Sequence, residues 1–180
     1  SDLVAASATL YGDKIKDGIS ESVVDFMLGR FNAWYQDQNV STDIVKAVMA
    51  RRPTRPSDFN KRIEAVTAFR ALEASKTLAA ANKRVGNILA KFDGQLASAF
   101  DLSLASDDAE ISLANTFAEI KATVAPLTAD KNYQQALTEL AQLKQPIDEF
   151  FDNVMVMADD EKVKVNRLTL LNEIRNSFLA

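Results

Sequence analysis

The chain has 180 residues, 47% of them hydrophobic and 26% charged, which is enough apolar sequence for one globular domain with a core of ordinary size. It contains no cysteine and no histidine, so disulfides, thiolate nucleophiles, imidazole general bases and zinc sites built on these residues are excluded. No apolar run approaches the roughly 18 residues that span a bilayer, so we expect a soluble cytoplasmic protein without membrane contact. The formal net charge of -4 at first argues against a polyanionic partner.

The first third of the chain predicts two helices that end at a proline-rich elbow. Residues 1–18 show no clear periodicity and fit either a linker or a helix end. From Ser20, a favourable N-cap, apolar and aromatic side chains recur every three or four residues to about residue 38. A shorter helix follows, and the segment Arg51–Pro56 ends it because its prolines cannot continue a helix.

The remainder of the chain is predicted to be helical as well. Helix restarts at Ser57 and continues, as two helices or as one long bent helix, to a loop around Gly94. Further helices are predicted over residues 106–125, 130–143, 146–151 and from about 160 onwards. We interpret the strand-like run Val154–Met157 as a buried connector, since one isolated strand would leave backbone groups unpaired.

These elements predict an all-α fold, a bundle of about six to eight helices. The elbow is the clearest boundary in the sequence, so residues 1–56 are predicted to form a helical extension and residues 57–180 the bundle itself. The aromatic residues occupy core-like positions on their helices, and we interpret them as packing residues. The four are Trp34, Tyr35, Phe150 and Phe151.

The charge is distributed unevenly along the chain. Between residues 51 and 91 the only acids are Asp58, Glu64 and Glu73. The bases there are Arg51, Arg52, Arg55, Lys61, Arg62, Arg70, Lys76, Lys83, Arg84 and Lys91. From residue 101 to 161 acids predominate instead. A phosphate backbone is therefore a plausible partner for one face, despite the net negative charge.

One candidate for nucleic-acid contact is the helix that contains Lys83, Arg84 and Asn87. These side chains lie close together on one side, because residues three and four apart are neighbours on a helix. The cations can bind phosphates, while Asn87 can hydrogen-bond a base or the backbone. The alternative is an ordinary solvated helix face, and composition alone does not decide between them.

The other candidate is the elbow, where two prolines stiffen a segment carrying Arg51, Arg52 and Arg55. Guanidinium groups bind phosphate bidentately and stack on exposed bases, which suits an unpaired RNA loop better than a duplex. The alternative is a purely structural elbow whose arginines pair with acids elsewhere in the chain.

The acidic clusters Asp107–Glu110 and Asp159–Glu161 do not indicate chemistry. Neither has the spacing of a calcium loop, and both precede predicted helices, where acids complement the positive end of the helix dipole. We interpret them as caps. No glycine-rich phosphate loop occurs, so we expect no ATP site, no metal, no cofactor and no catalytic residue in this chain.

Two stretches carry a resemblance to a known family. Ala50–Phe59, preceded by Val23–Met27 and Arg30–Tyr35, resembles the beta subunit of heterotetrameric glycyl-tRNA synthetases. Ala81–Leu89, followed downstream by Phe150–Met157 and by Asn166–Leu168, is similar to the anticodon-binding helical domain that these beta subunits share with arginyl-tRNA synthetases. The Arg-Arg-Pro-Thr-Arg-Pro elbow favours the glycyl type.

The resemblance implies a C-terminal piece of such a beta subunit, with residues 1–56 extending from its body and a DALR-type anticodon-binding domain following. It implies binding to the anticodon arm of tRNA(Gly), while ATP-dependent ligation of glycine occurs elsewhere in an alpha2-beta2 complex. The remainder of the beta subunit and the alpha subunit are the implied protein partners. The expected tRNA-binding residues are Arg51, Arg52, Arg55, Lys83, Arg84, Asn87, Lys91, Asn166 and Arg167. Two alternatives are a structural module that mediates subunit or domain contacts and the equivalent domain of an arginyl-tRNA synthetase.

Overall fold

The computed structural model describes residues 2–11 and 18–179; most of these residues are helical, and there is no β-strand among them. The helices are α1 (Asp2–Tyr11), α2 (Ile19–Asp37), α3 (Thr42–Met49), α4 (Pro56–Ala71), α5 (Ala74–Leu89), α6 (Asp108–Ala129), α7 (Tyr133–Leu140), α8 (Lys144–Asn153) and α9 (Glu161–Leu179). A 3-10 turn over Ala141–Leu143 joins α7 to α8, so these two form one bent helical stretch. The predicted all-α class is confirmed. Part of the ambiguous segment 1–18 lies outside the described residues.

The chain divides into two compact units, residues 1–64 and 65–180. The division falls inside α4 because the first half of that helix packs in the first unit. Phe59 of α4 is fully buried and stacks on Tyr35 of α2, with ring centroids 5.4 Å apart. The boundary between residues 56 and 57 stays a prediction about domain organisation.

Tyr35 ties α2 to α4 within the first unit. Its ring is buried, and its hydroxyl donates a hydrogen bond to Asn60 Oδ1 at 2.9 Å. Burial raises the pKa of Tyr35 above its usual value, and the charge of Glu64 raises it further, so the hydroxyl remains a donor. The prediction that Tyr35 is a packing residue is confirmed.

Trp34, unlike Tyr35, lies outside the core. It is 52% exposed and meets the Tyr35 ring edge-on, with centroids 4.7 Å apart. Phe26 and Met27 of the same helix are also exposed. The prediction that Trp34 is a core residue was wrong, because α2 buries only part of its wide apolar surface in this unit.

The second unit contains a continuous hydrophobic core built by α5 to α9. Phe150 of α8 and Leu168 of α9 are fully buried at its centre, and Phe117 of α6 packs with them. Its other large buried side chains are Leu78, Val85, Leu113, Ile120, Val124, Leu140, Leu143, Ile147, Val154, Val156, Leu170, Leu171 and Ile174. Residues 166–171 of α9 are all buried, so this stretch of the helix is enclosed on every face.

The segment between α5 and α6 is ordered by side chains of α9. The hydrogen bonds run from Ala97 N–H to Thr169 Oγ1 at 3.1 Å, from Phe100 N–H to Glu173 Oε1 at 3.0 Å and from Asp101 N–H to Asn166 Oδ1 at 2.8 Å. Burial raises the pKa of Glu173, but hydrogen bonds from Lys121 and Phe100 outweigh it and leave the net pKa below its usual range. The carboxylate therefore stays charged and accepting at neutral pH.

Two local predictions about α6 and its start need correction. The helix predicted over residues 106–125 should end before Pro126, but α6 continues to Ala129 with the proline inside its last turn. The missing N–H costs one hydrogen bond there, and Asp130 N–H still closes the turn on the Pro126 carbonyl at 3.0 Å. Asp107 makes no side-chain cap. Asp160, in contrast, does cap α9: its Oδ1 accepts from the N–H groups of Lys162 and Val163.

Candidate nucleic-acid interface

The outer face of α5 brings four predicted contact residues together. Val85 and Leu78 turn into the core, which fixes the rotation of the helix and leaves its opposite side in solvent. Lys83, Arg84 and Asn87 are all exposed on that side. Together with Ala80, Ile88 and, in the turn after the helix, Lys91, they line a surface pocket of about 330 Å³. We call this surface the α5 face.

Arg84 is held in place by an aromatic ring from α8. Its guanidinium carbon lies 4.1 Å from the centroid of the Phe151 ring, a close cation–π contact. Phe151 is partly buried and also meets Phe150 edge-on, so the ring is itself fixed by the core. The prediction that Phe151 only packs was therefore incomplete, because one face of its ring supports a cation.

The α5 face keeps its positive charge. Among the residues that the structure describes, no ion pair to an acid is found for Lys83, Arg84 or Lys91. Other bases are neutralised locally: Lys144 pairs with Asp148 at 3.1 Å and Lys121 with Glu173 at 2.8 Å. A concentrated and uncompensated positive charge attracts a polyanion in spite of the negative net charge.

The elbow in the first unit also carries positive charge that is only partly neutralised by acids. Arg51 and Arg55 are exposed, and no acid pairs with either among the described residues. Arg52 has a left-handed backbone with φ of 47° and pairs with Asp25 at 2.6 Å. Both partners are more than half exposed, so this pair contributes little to stability and leaves Arg52 open to competition by phosphate.

Asn166 and Arg167 lie in the interior of the second unit, 2% and 5% exposed. Asn166 exchanges two hydrogen bonds with the backbone of Asp101, at 2.8 and 2.9 Å. Arg167 donates to Glu110 Oε2 at 3.0 Å, to the Met155 carbonyl at 2.9 Å and to Asp107. This burial does not fit the predicted contact with RNA, and both residues are structural. It also gives Asp107 and Glu110 their role: they pair with Arg167 and do not cap α6.

Arg175 of α9 was not among the predicted contact residues. Its guanidinium packs against Gly86 of α5, where a β-carbon would lie only 2.9 Å from Nη1. The signal in the sequence was the glycine itself, since a glycine inside a helix indicates close approach by another group.

No group of three or more metal-binding side chains occurs in the described part of the chain. No helix found there has the length and apolar character to cross a membrane.

A double-mutant cycle tests whether Phe151 supports Arg84. We expect Arg84→Gln and Phe151→Leu to be coupled by about 0.5–1 kcal/mol in the free energy of unfolding, because either change alone removes the cation–π contact. Urea denaturation of the wild type, both single variants and the double variant measures the coupling. Additive effects would show that the contact contributes nothing.

An all-helical unit with an exposed, uncompensated basic helix face is typical of a nucleic-acid-binding module. The family model of the DALR anticodon binding domain matches residues 78–179. Because this match covers more than half of the chain, the chain belongs to the DALR anticodon-binding domain family.

The chain is also similar to curated glycine–tRNA ligase beta subunits. It is 60% identical over 179 residues to the one from Photobacterium profundum, 59% identical to the one from Aliivibrio fischeri and 58% identical to the one from Vibrio parahaemolyticus. In each case the alignment covers 99% of this chain and 26% of the relative. The chain thus spans about a quarter of the length of these relatives.

Proposed function

We propose that this chain recognises the anticodon arm of tRNA(Gly) as part of the beta subunit of a cytoplasmic glycine–tRNA ligase. Ligation of glycine with ATP takes place in other parts of an alpha2-beta2 enzyme, and this chain supplies binding and orientation. The proposal is supported by the identity of about 60% to glycine–tRNA ligase beta subunits across nearly the entire chain. It is also supported by the anticodon-binding domain to which residues 78–179 belong.

The observation that carries the proposal is the α5 face. Lys83 and Lys91 supply point charges for phosphates, whereas Arg84 presents a planar guanidinium backed by Phe151. Asn87 lies among these cations and has both a donor and an acceptor for a base edge. Phosphate contacts set the affinity of such a surface, and contacts to base edges set its specificity. For the first unit by itself, we propose phosphate contacts by the elbow residues Arg51, Arg52 and Arg55.

Titration with two tRNAs tests this function. We expect the 180-residue chain to bind tRNA(Gly) more tightly than a tRNA with an unrelated anticodon, and Arg84→Ala to weaken binding and to reduce its salt dependence. Fluorescence anisotropy at several salt concentrations measures both quantities. Equal, weak binding of the two tRNAs would leave only a nonspecific basic face and would refute anticodon recognition.

The apolar surface of α2 favours an additional protein-binding role for the first unit. Phe26 is 70% and Trp34 52% exposed, and Met27 lies on the same side of the helix. Large exposed apolar side chains that share one face mark sites of protein contact. We propose that the remainder of the beta subunit covers this surface, in keeping with relatives about four times as long as the chain.

A further inference from the structure

Arg175, like Arg84, is held in position with no acid paired to it among the described residues, but Arg175 is the more enclosed of the two. It is partly buried, its Nε is enclosed without a hydrogen-bond acceptor, and its side chain makes no ion pair among the described residues. A buried polar atom without a partner carries a cost in free energy. A structural arginine in the same helix looks different: Arg167 is satisfied by two carboxylates and a carbonyl.

Gly86 determines where this guanidinium lies. The carbon Cζ and both terminal nitrogens of Arg175 are within 3.3 Å of the position that a β-carbon on Gly86 would occupy. Any larger residue would push the guanidinium away, so the absence of a side chain at Gly86 leaves the space on α5 that the guanidinium occupies. Glycine is otherwise unfavourable inside a helix, which indicates that the close approach is the reason for its presence here.

Gly86 adjoins the α5 face. Lys83 lies three residues before Gly86 and is therefore its neighbour on the helix surface. Successive residues turn by 100°, so Lys83 and Asn87 lie between Gly86 and Arg84 around the helix. Phe151 contacts Arg84 on one side of the α5 face, and Arg175 packs against Gly86, which adjoins Lys83 on the other side.

We propose that Arg175 is a further RNA-binding residue of this module and that Gly86 positions it to bind a backbone phosphate together with Lys83. The proposal rests on the proposed function, and extends the binding surface from α5 to α9. The two terminal nitrogens of the Arg175 guanidinium form a fork that can donate two hydrogen bonds to phosphate oxygens.

The experiment compares Arg175→Gln with Lys162→Gln, using the anticodon stem-loop of tRNA(Gly) as the probe. Both variants lose one positive charge from α9, but Lys162 lies 13 residues away, about 20 Å along the helix. Loss of one phosphate contact to unpaired RNA lowers affinity about 5-fold at 0.1 M salt and reduces the salt slope by about 0.7. We expect this for Arg175→Gln, and a change below about 2-fold for Lys162→Gln.

Gly86→Ala supplies a second test in which the charge is retained. The added methyl group displaces the guanidinium, so we expect weaker RNA binding without a lower melting temperature, since alanine is the better helix former. The proposal would be overturned if folded Arg175→Gln bound the stem-loop with wild-type affinity. It would also be overturned if Arg175→Gln and Lys162→Gln lost the same amount of affinity. If Arg84→Ala weakens binding while Arg175→Gln does not, only the role of Arg175 fails. If the wild-type chain does not bind the stem-loop, the proposed function itself fails.

Discussion

Arg167→Met is expected to lower the free energy of unfolding by about 3–5 kcal/mol, because it leaves the carboxylate of Glu110 buried without its partner. Glu110 is 0% exposed and its Oε1 already has no hydrogen-bond partner, so the ion pair through Oε2 is its main compensation. Arg167 also joins the Met155 carbonyl to Asp107, which connects the loops before α6 and α9. Chemical denaturation of the purified variant measures the loss.

Two comparisons separate the buried pair from general charge effects. Lys164→Met removes a cation from the same helix whose partner, Glu161, is 65% exposed, and it should cost less than about 1 kcal/mol. Adding Glu110→Leu to Arg167→Met removes the stranded carboxylate and should recover much of the stability. A cost for Arg167→Met no larger than that for Lys164→Met would contradict the interpretation.

Replacing Lys83, Arg84 and Lys91 together by glutamine is expected to weaken binding of the tRNA(Gly) anticodon stem-loop about 100-fold at 0.1 M salt. Each contact to unpaired RNA contributes about 0.7 to the slope of log affinity against log salt, so three contacts contribute about 2. The three side chains line the same pocket and are not neutralised by acids in the described chain. Titrations between 0.05 and 0.5 M salt, values chosen to span about one decade, measure both quantities.

A charge-matched control uses Lys46, Lys144 and Lys162, which lie outside the α5 face. Their replacement by glutamine removes the same charge but leaves the lining of the pocket intact, so it should change affinity by only a few-fold. Thermal melting checks that both triple variants fold. Similar losses for the two variants would show that RNA responds to net charge and not to the α5 face.

The α5 face was predictable because everything that defines it is local. The spacing of Lys83, Arg84 and Asn87 fixes their common side, and apolar Val85 fixes which side turns inward. The pocket and the support from Phe151 were not predictable, since they depend on how α8 packs against α5. Sequence periodicity therefore locates a helix face but does not identify its neighbours.

The surroundings of Arg167, unlike the α5 face, could not be predicted from the local sequence. Charge and family resemblance placed it with the RNA contacts, yet its surroundings are determined by Glu110, 57 residues earlier in the chain. Nothing in the local sequence distinguishes a buried, paired arginine from an exposed one. Trp34 shows the same limit for apolar residues: its helical position is core-like, but the unit in which it lies does not cover it.

The hydrogen bonds between α9 and the segment before α6 also bear on the order of folding. They join residues 65 to 73 positions apart, so no local structure can form them in advance. Closing such long loops costs chain entropy that only the docked helix repays. We therefore expect this segment to order late, so that a chain with its other helices already formed lacks this part of the fold until α9 is in place.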